Sequence, residues 1–324
     1  MLFRSVRVKR DILRGSSIGV MATRRSIGAV LPSASNAYGI DGTFKFFDDL
    51  NIDTYWARTQ ADGVTRDDRS YRAALSYPGD RYGVTLERLA VGAHYNPEVG
   101  FVRRPDVRRT DAEFRFSPRP KGIPGVRRLV SNVTYDAYDN GPTGRLETRE
   151  RSGEFAIEFQ NADRLGVFAG NFYEFVPRRF RIGSTPAGPV LVPVGGYDWN
   201  NGRLTFSLGP QRRVPMNLSA EYGSFYNGHR SSLGISRGRV SVTPHLSIEP
   251  TYSMNHVHLL GSDAEFTTHL GGARVTYTVS PRMFASALVQ YNSSTNLMTA
   301  NVRFRWEYQP GSELFVVYND ERDT

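Results

Sequence analysis

The sequence predicts an all-β protein, an antiparallel up-and-down transmembrane β-barrel of about 16–18 strands, because three observations converge on the dimensions of such barrels. Period-two alternation of apolar and polar residues returns again and again between turn signals, and convincing helical periodicity is absent. Many of the roughly seventeen strand candidates run to about 9–14 residues, longer than the about 5–6 of soluble sheets. Tyr and Trp sit near the strand ends, at Tyr55, Trp56, Tyr77, Tyr82, Tyr138, Tyr173, Tyr226, Tyr291, Trp306 and Tyr308, where interfacial girdles belong. A soluble β-sandwich or propeller binding module is the alternative, since alternation alone describes any half-buried strand.

The elements follow in order. "YGIDGTFKFF" and "LNIDTYWART" flank Asp48-Asp49, and "DRSYRAALSY" and "RYGVTLERLA" flank Pro78-Gly79-Asp80, where Pro fixes φ and Gly admits positive φ. "VRRLVSNVTYDAYD" returns through "GPTGR" as "ERSGEFAIEFQ", which turns at Asn161-Ala162-Asp163 into "RLGVFAGNFYEF". "VPMNLSAEYGSFY" meets "HRSSLGISRGRVSV" across Asn227-Gly228, and that meets "HLSIEPTYSMNH" at Thr243-Pro244. "AEFTTHLGGARVTYTVS", "RMFASALVQYN", "NVRFRWEYQ" and "ELFVVYN" complete the series. Two connections are long and rich in Gly, Pro and Arg, residues 92–109 and 176–202. Long loops on a rigid scaffold are where binding usually resides.

Composition excludes several classes. Cysteine is absent, which removes disulfides, thiol nucleophiles and thiolate metal sites. The formal charge is +9, almost all from arginine, with Lys9, Lys45 and Lys121 the only lysines. The arginines are spread along the chain and no nucleic-acid module appears, so anionic lipid suits the charge better than DNA or RNA. No stretch approaches the about 20 apolar residues of a membrane helix, a test that barrel strands escape because they alternate. The first fifteen residues hold no apolar signal core, so the chain is either cytosolic or preceded by further sequence.

Motifs that carry chemistry are weak. G-x-S-x-G occurs at 15–19 and 234–238, nominating Ser17 or Ser236, with Asp263 and His269 following Ser236 in hydrolase order. A nucleophile elbow needs a strand, a sharp turn and a helix, and neither match precedes a helix. His256 and His258 have a spacing that could hold zinc but lack a third ligand. The acidic run Asp48 to Asp53 reads as a turn, without the glycine and terminal Glu of a calcium loop. No catalytic group, metal or cofactor is therefore assigned. The polar strand faces offer a different set: Arg303, Arg305, Glu307, Glu249, Glu154 and Glu158 are expected in a wet lumen, pairing across strands and either tuning the field of a pore or stiffening the wall.

Three segments resemble the outer-membrane barrel family known as domain of unknown function 5916. They are "RVKRDILRGSSIGVMATRRS" with "NAYGIDGTFKFFDDLNIDTYWART", then "HYNPEVGFVRRPDVRR", then "LVQYNSSTNLMTANVRFRWEYQPGSELFVVYNDERDT". The resemblance implies a Gram-negative outer membrane, a signal peptide, and an upstream sandwich similar to family-9 carbohydrate-binding modules. Against that pattern this chain is expected to be a fragment, lacking the upstream module and one last strand. Together these readings give a non-enzymatic pore or receptor for a small or carbohydrate-like ligand, in contact with outer-membrane lipid or lipopolysaccharide. A membrane-anchored hydrolase, working through loops or a missing domain, is the alternative. Asn96, Glu98, Phe101, Arg103, Arg104 and the 176–202 connection are the candidate binding element.

Overall fold

The computed structural model describes residues 2–27, 33–61, 63, 66–98, 100–236, 238–260 and 264–323. These form twenty-one strands, eighteen of them nine to seventeen residues long, with no helix among the described residues. Nineteen strands belong to one sheet. Contacts divide the chain into two compact units, Met1–Pro118 with Ser131–Gly153 and Phe172–Phe175, and Arg119–Val130 with Glu154–Asn171 and Val176–Thr324.

The first unit is a meander of β1 (Leu2–Ile12), β2 (Ser16–Ile27), β3 (Ser33–Phe46), β4 (Leu50–Gln60), β5 (Arg69–Tyr77), β6 (Tyr82–Val91), β7 (Val107–Phe116) and part of β8 (Val126–Asn140). Each strand pairs antiparallel with the next. Because directly opposed residues share a face, the register sorts the side chains into two sets. One face carries Val6, Ile40, Leu86 and Val133 and keeps them open, at 65%, 58%, 47% and 59% exposure. The other carries Arg7, Asp41, Arg72, Glu87, Arg109, Asp111 and Asp136. A water-soluble sheet arranges its faces the other way, with the large apolar side chains covered.

The apolar face is bounded by aromatic rings. At the end with the short turns stand Phe46, Tyr77, Tyr82 and Phe116, with the Tyr82 and Phe116 rings stacked at 5.3 Å. Towards the other end stand Tyr38, Trp56 and Tyr71, on a register where Trp56 opposes Tyr71. Eight residues separate Phe46 from Tyr38 on β3, about 26 Å along the strand at about 3.3 Å per residue, close to the height of a lipid-facing band.

The second unit contains β13 (Gly195–Ser207), β14 (Asn217–Phe225), β15 (Gly228–Ser236), β16 (Val240–Ser241), β17 (Leu246–Leu259), β18 (Ala264–Ser280), β19 (Met283–Asn292), β20 (Leu297–Gln309) and β21 (Ser312–Asp323). Its faces segregate in the same way. Val302, Phe304 and Trp306 oppose Ala287, Ala285 and Met283, whereas Arg303 opposes Ser286 and Asn301 opposes Asn319. Parts of β9 (Leu146–Phe159) and β10 (Arg164–Val176) belong to each unit.

The structure corrects the sequence reading in three places. The segment 92–109 is a loop only to 106, and β7 begins at Val107. The segment 176–202 holds a separate hairpin of β11 (Phe180–Thr185) and β12 (Gly188–Val192), then the first half of β13. Tyr55 and Tyr138 are not girdle residues: Tyr55 shares the polar face with Arg72 and donates to or accepts from Ser70 at 3.0 Å, and Tyr138 lies beneath Arg104 and Arg109.

Candidate functional site

The loop after β6 turns back over the polar face of its own unit. The Asn96 amide donates to Thr59 Oγ1 at 3.1 Å, the His94 amide donates to the Asp67 carbonyl at 3.0 Å, and the Glu98 carboxylate forms an ion pair with Arg25 of β2. Glu98 holds φ at +60°, a left-handed conformation uncommon for a side-chain-bearing residue, while it makes that ion pair. Small residues beneath give the loop room. Ser5, Thr23, Ala37, Gly39 and Ala57 line a groove of about 640 Å³ that Tyr95, Pro97 and Gly100 close from the loop side.

Polar groups in this groove are placed by the ladder. Arg7 of β1 reaches both carboxylate oxygens of Asp41 at 3.1 Å, and a Cβ on the intervening Gly19 would fall 2.8 Å from that carboxylate. Burial, and next the neighbouring Tyr55, push the Tyr95 phenol above its ordinary range, so it stays a neutral hydroxyl at physiological pH. The groove thus offers a neutral phenol, a guanidinium and a carboxylate beside apolar walls, a set that orients a polar small molecule by hydrogen bonds.

Next to the groove runs an ionic row. Glu87, Asp111 and Asp136 oppose one another on β6, β7 and β8, three carboxylates on one line. Arg109 sits among them, 3.0 Å from Glu87, 3.4 Å from Asp111 and 2.8 Å from Asp136, and Arg72 holds the far side of Glu87 at 2.6 Å. Like charges directly opposed destabilise a sheet, and the two arginines reverse that sign. None of these residues is among the sequence candidates; only Arg109 falls within the segment 92–109 expected as a loop, and it lies on β7.

The sequence candidates separate into groups. Asn96 and Glu98 lie at the groove. Arg104 pairs with Glu147 and covers the Tyr138 ring at 5.3 Å, while Phe101 is 90% exposed and Arg103 is exposed. In the second unit Arg305 binds Glu313 of β21, with Nε 3.0 Å from Oε2, and Arg303 donates to Asn301 at 2.8 Å. Glu307 opposes Glu313, and Glu249 opposes Arg274. Glu154 pairs with Arg164 at 2.6 Å, and Glu158 with Arg127 and Arg128, each at 2.9 Å. Arg104, Arg305, Glu98, Glu154 and Glu158 thus have charged partners, whereas Glu307 accepts from the Gly311 amide at 3.4 Å.

The hairpin β11–β12 settles on the polar face of the second unit. Val190, Val257, Leu259 and Ala264 form a buried cluster there, joined by Ile182, Phe225 and Phe266. Gly183 permits the contact, since a Cβ at that position would come within 2.5 Å of the Phe266 ring. Phe180, Tyr197, Trp199, Phe225 and Tyr226 make a continuous aromatic cluster with centroids 4.8–6.1 Å apart, which moves Tyr226 out of any girdle.

The hydrolase elements do not meet. Ser236 opposes Asn217 on the polar face, and His269 opposes Met254 on the apolar face, where its Nδ1 lies 2.8 Å from the Tyr252 hydroxyl. Asp263 lies outside the described residues, and Ser17 is enclosed in β2. His256 and His258 share the apolar face, with His256 Nε2 3.3 Å from Glu265, and no group of three or more His, Asp or Glu side chains placed to hold a metal ion occurs among the described residues.

These features define a class, an all-β antiparallel protein whose apolar sheet face is exposed and whose polar face carries a folded-back loop in the first unit and a packed hairpin in the second. No family model matches the chain, and no curated protein matches it. Among solved structures, the ferric enterobactin receptor PfeA in complex with BCV-L6 aligns at 9% identity over 94% of this chain and 68% of that one, with a TM-score of 0.40. A mutant of the ferric enterobactin receptor from Pseudomonas aeruginosa, in complex with enterobactin, aligns at 8% identity over the same shares, also at 0.40.

Proposed function

We propose that the chain is an outer-membrane β-barrel of eighteen long strands that acts, without catalysis, as a receptor or pore for a small ligand. The inverted polarity of the sheet carries this reading: apolar side chains are exposed in a band bounded by aromatics, and the opposite face holds the Glu87–Arg109–Asp136 row and the folded loops. Lipid covers such a band at no cost, whereas water would leave it unburied. Membership of the domain of unknown function 5916 family is part of the proposal, resting on the segments named above. A carbohydrate-like ligand is supported by the groove, where the Tyr95 phenol, Arg7 and Asp41 can hydrogen-bond hydroxyls.

The three tryptophans test the reading. Trp56 and Trp306 lie on the apolar face, and Trp199 belongs to the aromatic cluster at the hairpin. In vesicles whose acyl chains carry bromine, single-tryptophan variants retaining Trp56 or Trp306 should be quenched and the one retaining Trp199 should not. Equal quenching of all three, or of none, sinks the barrel. The ligand is tested by oligosaccharide-driven swelling of vesicles, which Tyr95→Ala should change and which an unaltered rate would count against.

A further inference from the structure

We propose that the second unit binds an acidic sugar, a hydroxylated molecule carrying one carboxylate, in the cavity between the β11–β12 hairpin and β18, with Arg181 taking the carboxylate. This site adds to the receptor reading above and shares no residue with the Tyr95 groove. From Val176 to Tyr197 the chain holds three arginines and no aspartate or glutamate. The pairing of β11 with β12 slips between Arg181 and Gly183, and such a bulge bends its strand and re-aims the side chains on it. Arg181 is turned along its own strand: Nε donates to the Gly183 carbonyl at 3.3 Å, and Nη2 donates to the Ser184 hydroxyl. Both acceptors are neutral. The guanidinium is therefore held in place with its charge uncompensated, and its Nη1 group has no partner among the described residues.

Arg181 lines a cavity of about 840 Å³, within the about 300–1,000 Å³ usual for small-molecule sites. Thr268 of β18 lines it as well, with Ser294 and Thr295 of the turn between β19 and β20. That turn is held from within, since the Ser294 amide donates to Asn292 Oδ1 at 2.9 Å. The Ser294 hydroxyl, by contrast, makes no hydrogen bond among the described residues. No carboxylate among the described residues lines the cavity, and the adjacent Glu265 lies on the other face of β18, 3.3 Å from His256. A fixed guanidinium without a counter-charge favours an anion, and its planar fork matches a carboxylate in two parallel bonds. The Ser and Thr hydroxyls can donate to or accept from the hydroxyls of a ligand, and the Phe266 ring adds an apolar wall. One charge among hydroxyls selects an acidic sugar over a neutral sugar and over a bare oxyanion.

The test uses the full chain folded in detergent micelles, titrated by calorimetry with glucuronate and with glucose, its neutral counterpart. The wild type should bind glucuronate about tenfold or more tightly than glucose, as expected for a charge-assisted contact, and Arg181→Gln should abolish that difference. Should Arg181→Gln loosen the hairpin, Ser294→Ala gives a second reading, because that hydroxyl has no partner in the chain to lose. It should weaken glucuronate binding by about three- to tenfold. Equal affinity for the two sugars overturns the anionic ligand. A preference that survives both substitutions, or that Tyr95→Ala removes, overturns the site and leaves the receptor reading standing. Displacement of glucuronate by equimolar inorganic phosphate overturns the sugar as occupant. Binding of neither sugar overturns this proposal alone, since vesicle swelling with Tyr95→Ala judges the receptor reading separately.

Discussion

Arg109 of β7 holds Asp136 of β8 with two parallel hydrogen bonds, Nε to Oδ1 at 2.8 Å and Nη2 to Oδ2 at 3.2 Å, while its third nitrogen reaches Glu87 of β6 at 3.0 Å. One side chain therefore ties three strands together on the polar face. Replacing it by alanine leaves Glu87, Asp111 and Asp136 in line with only Arg72 to offset them. Arg109→Ala should lose about 2–3 kcal/mol, the range for charged hydrogen bonds broken in a partly enclosed place, read from the urea midpoint of the folded gel band. Arg109→Ala/Asp136→Asn should lose less than the sum of the single changes, because the second removes a repulsion created by the first.

The turn after β9 carries a pH-sensitive tether. Asp163 binds Arg212 through Nε at 2.9 Å and accepts from the Gly209 amide at 2.9 Å. The Arg212 guanidinium first, and the Gly209 amide next, hold its carboxyl down to about 2. A depressed folded value means that the stabilisation is complete above the unfolded value of about 4 and is lost as pH falls through the folded one. Hydrogen exchange at Gly209, corrected for intrinsic rate, should therefore quicken between about pH 4 and pH 2. In Asp163→Asn it should be fast at every pH.

The Arg25–Glu98 ion pair and the Asn96 amide contact to Thr59 are among the contacts that hold the loop over the groove. Arg25→Ala should free Glu98 and speed tryptic cleavage at Arg103 and Arg104, and Thr59→Val should do the same through Asn96. Conductance across a planar bilayer should rise in both. If cleavage and conductance are unchanged, the loop is not held by these contacts.

Gly183→Ala puts a methyl group where the Phe266 ring now stands. The expected cost is about 1–3 kcal/mol, the penalty for overpacking, with the β11–β12 hairpin lifted from β18 and opened to protease. Adding Phe266→Ala to Gly183→Ala should return the hairpin to its place.

The fold was more legible than the site. The strand 264–280 is bounded where its alternation begins and ends, and Arg303, Arg305 and Glu307 share a face as their spacing requires. The β1–β2 hairpin, β7 and β13 were harder to read because arginine and glycine interrupt their apolar positions. Of the groove, the sequence showed the loop side, at Asn96 and Glu98, and not the strand side: Arg7 meets Asp41 across thirty-four residues, and Arg25 meets Glu98 through a loop that folds back. Both depend on where strands lie in the ladder, which local pattern does not encode.

The strip of small side chains under that loop has a further consequence. Ala37, Gly39 and Ala57 make no polar contact with Asn96 or Glu98, yet a bulky residue at any of them would fill the space that the loop occupies. The strands act as a mould whose hollow is written by what they omit. Loop and strip are then bound to change together, so that in any descendant a larger residue at position 39 should travel with a shorter or displaced segment at 92–106.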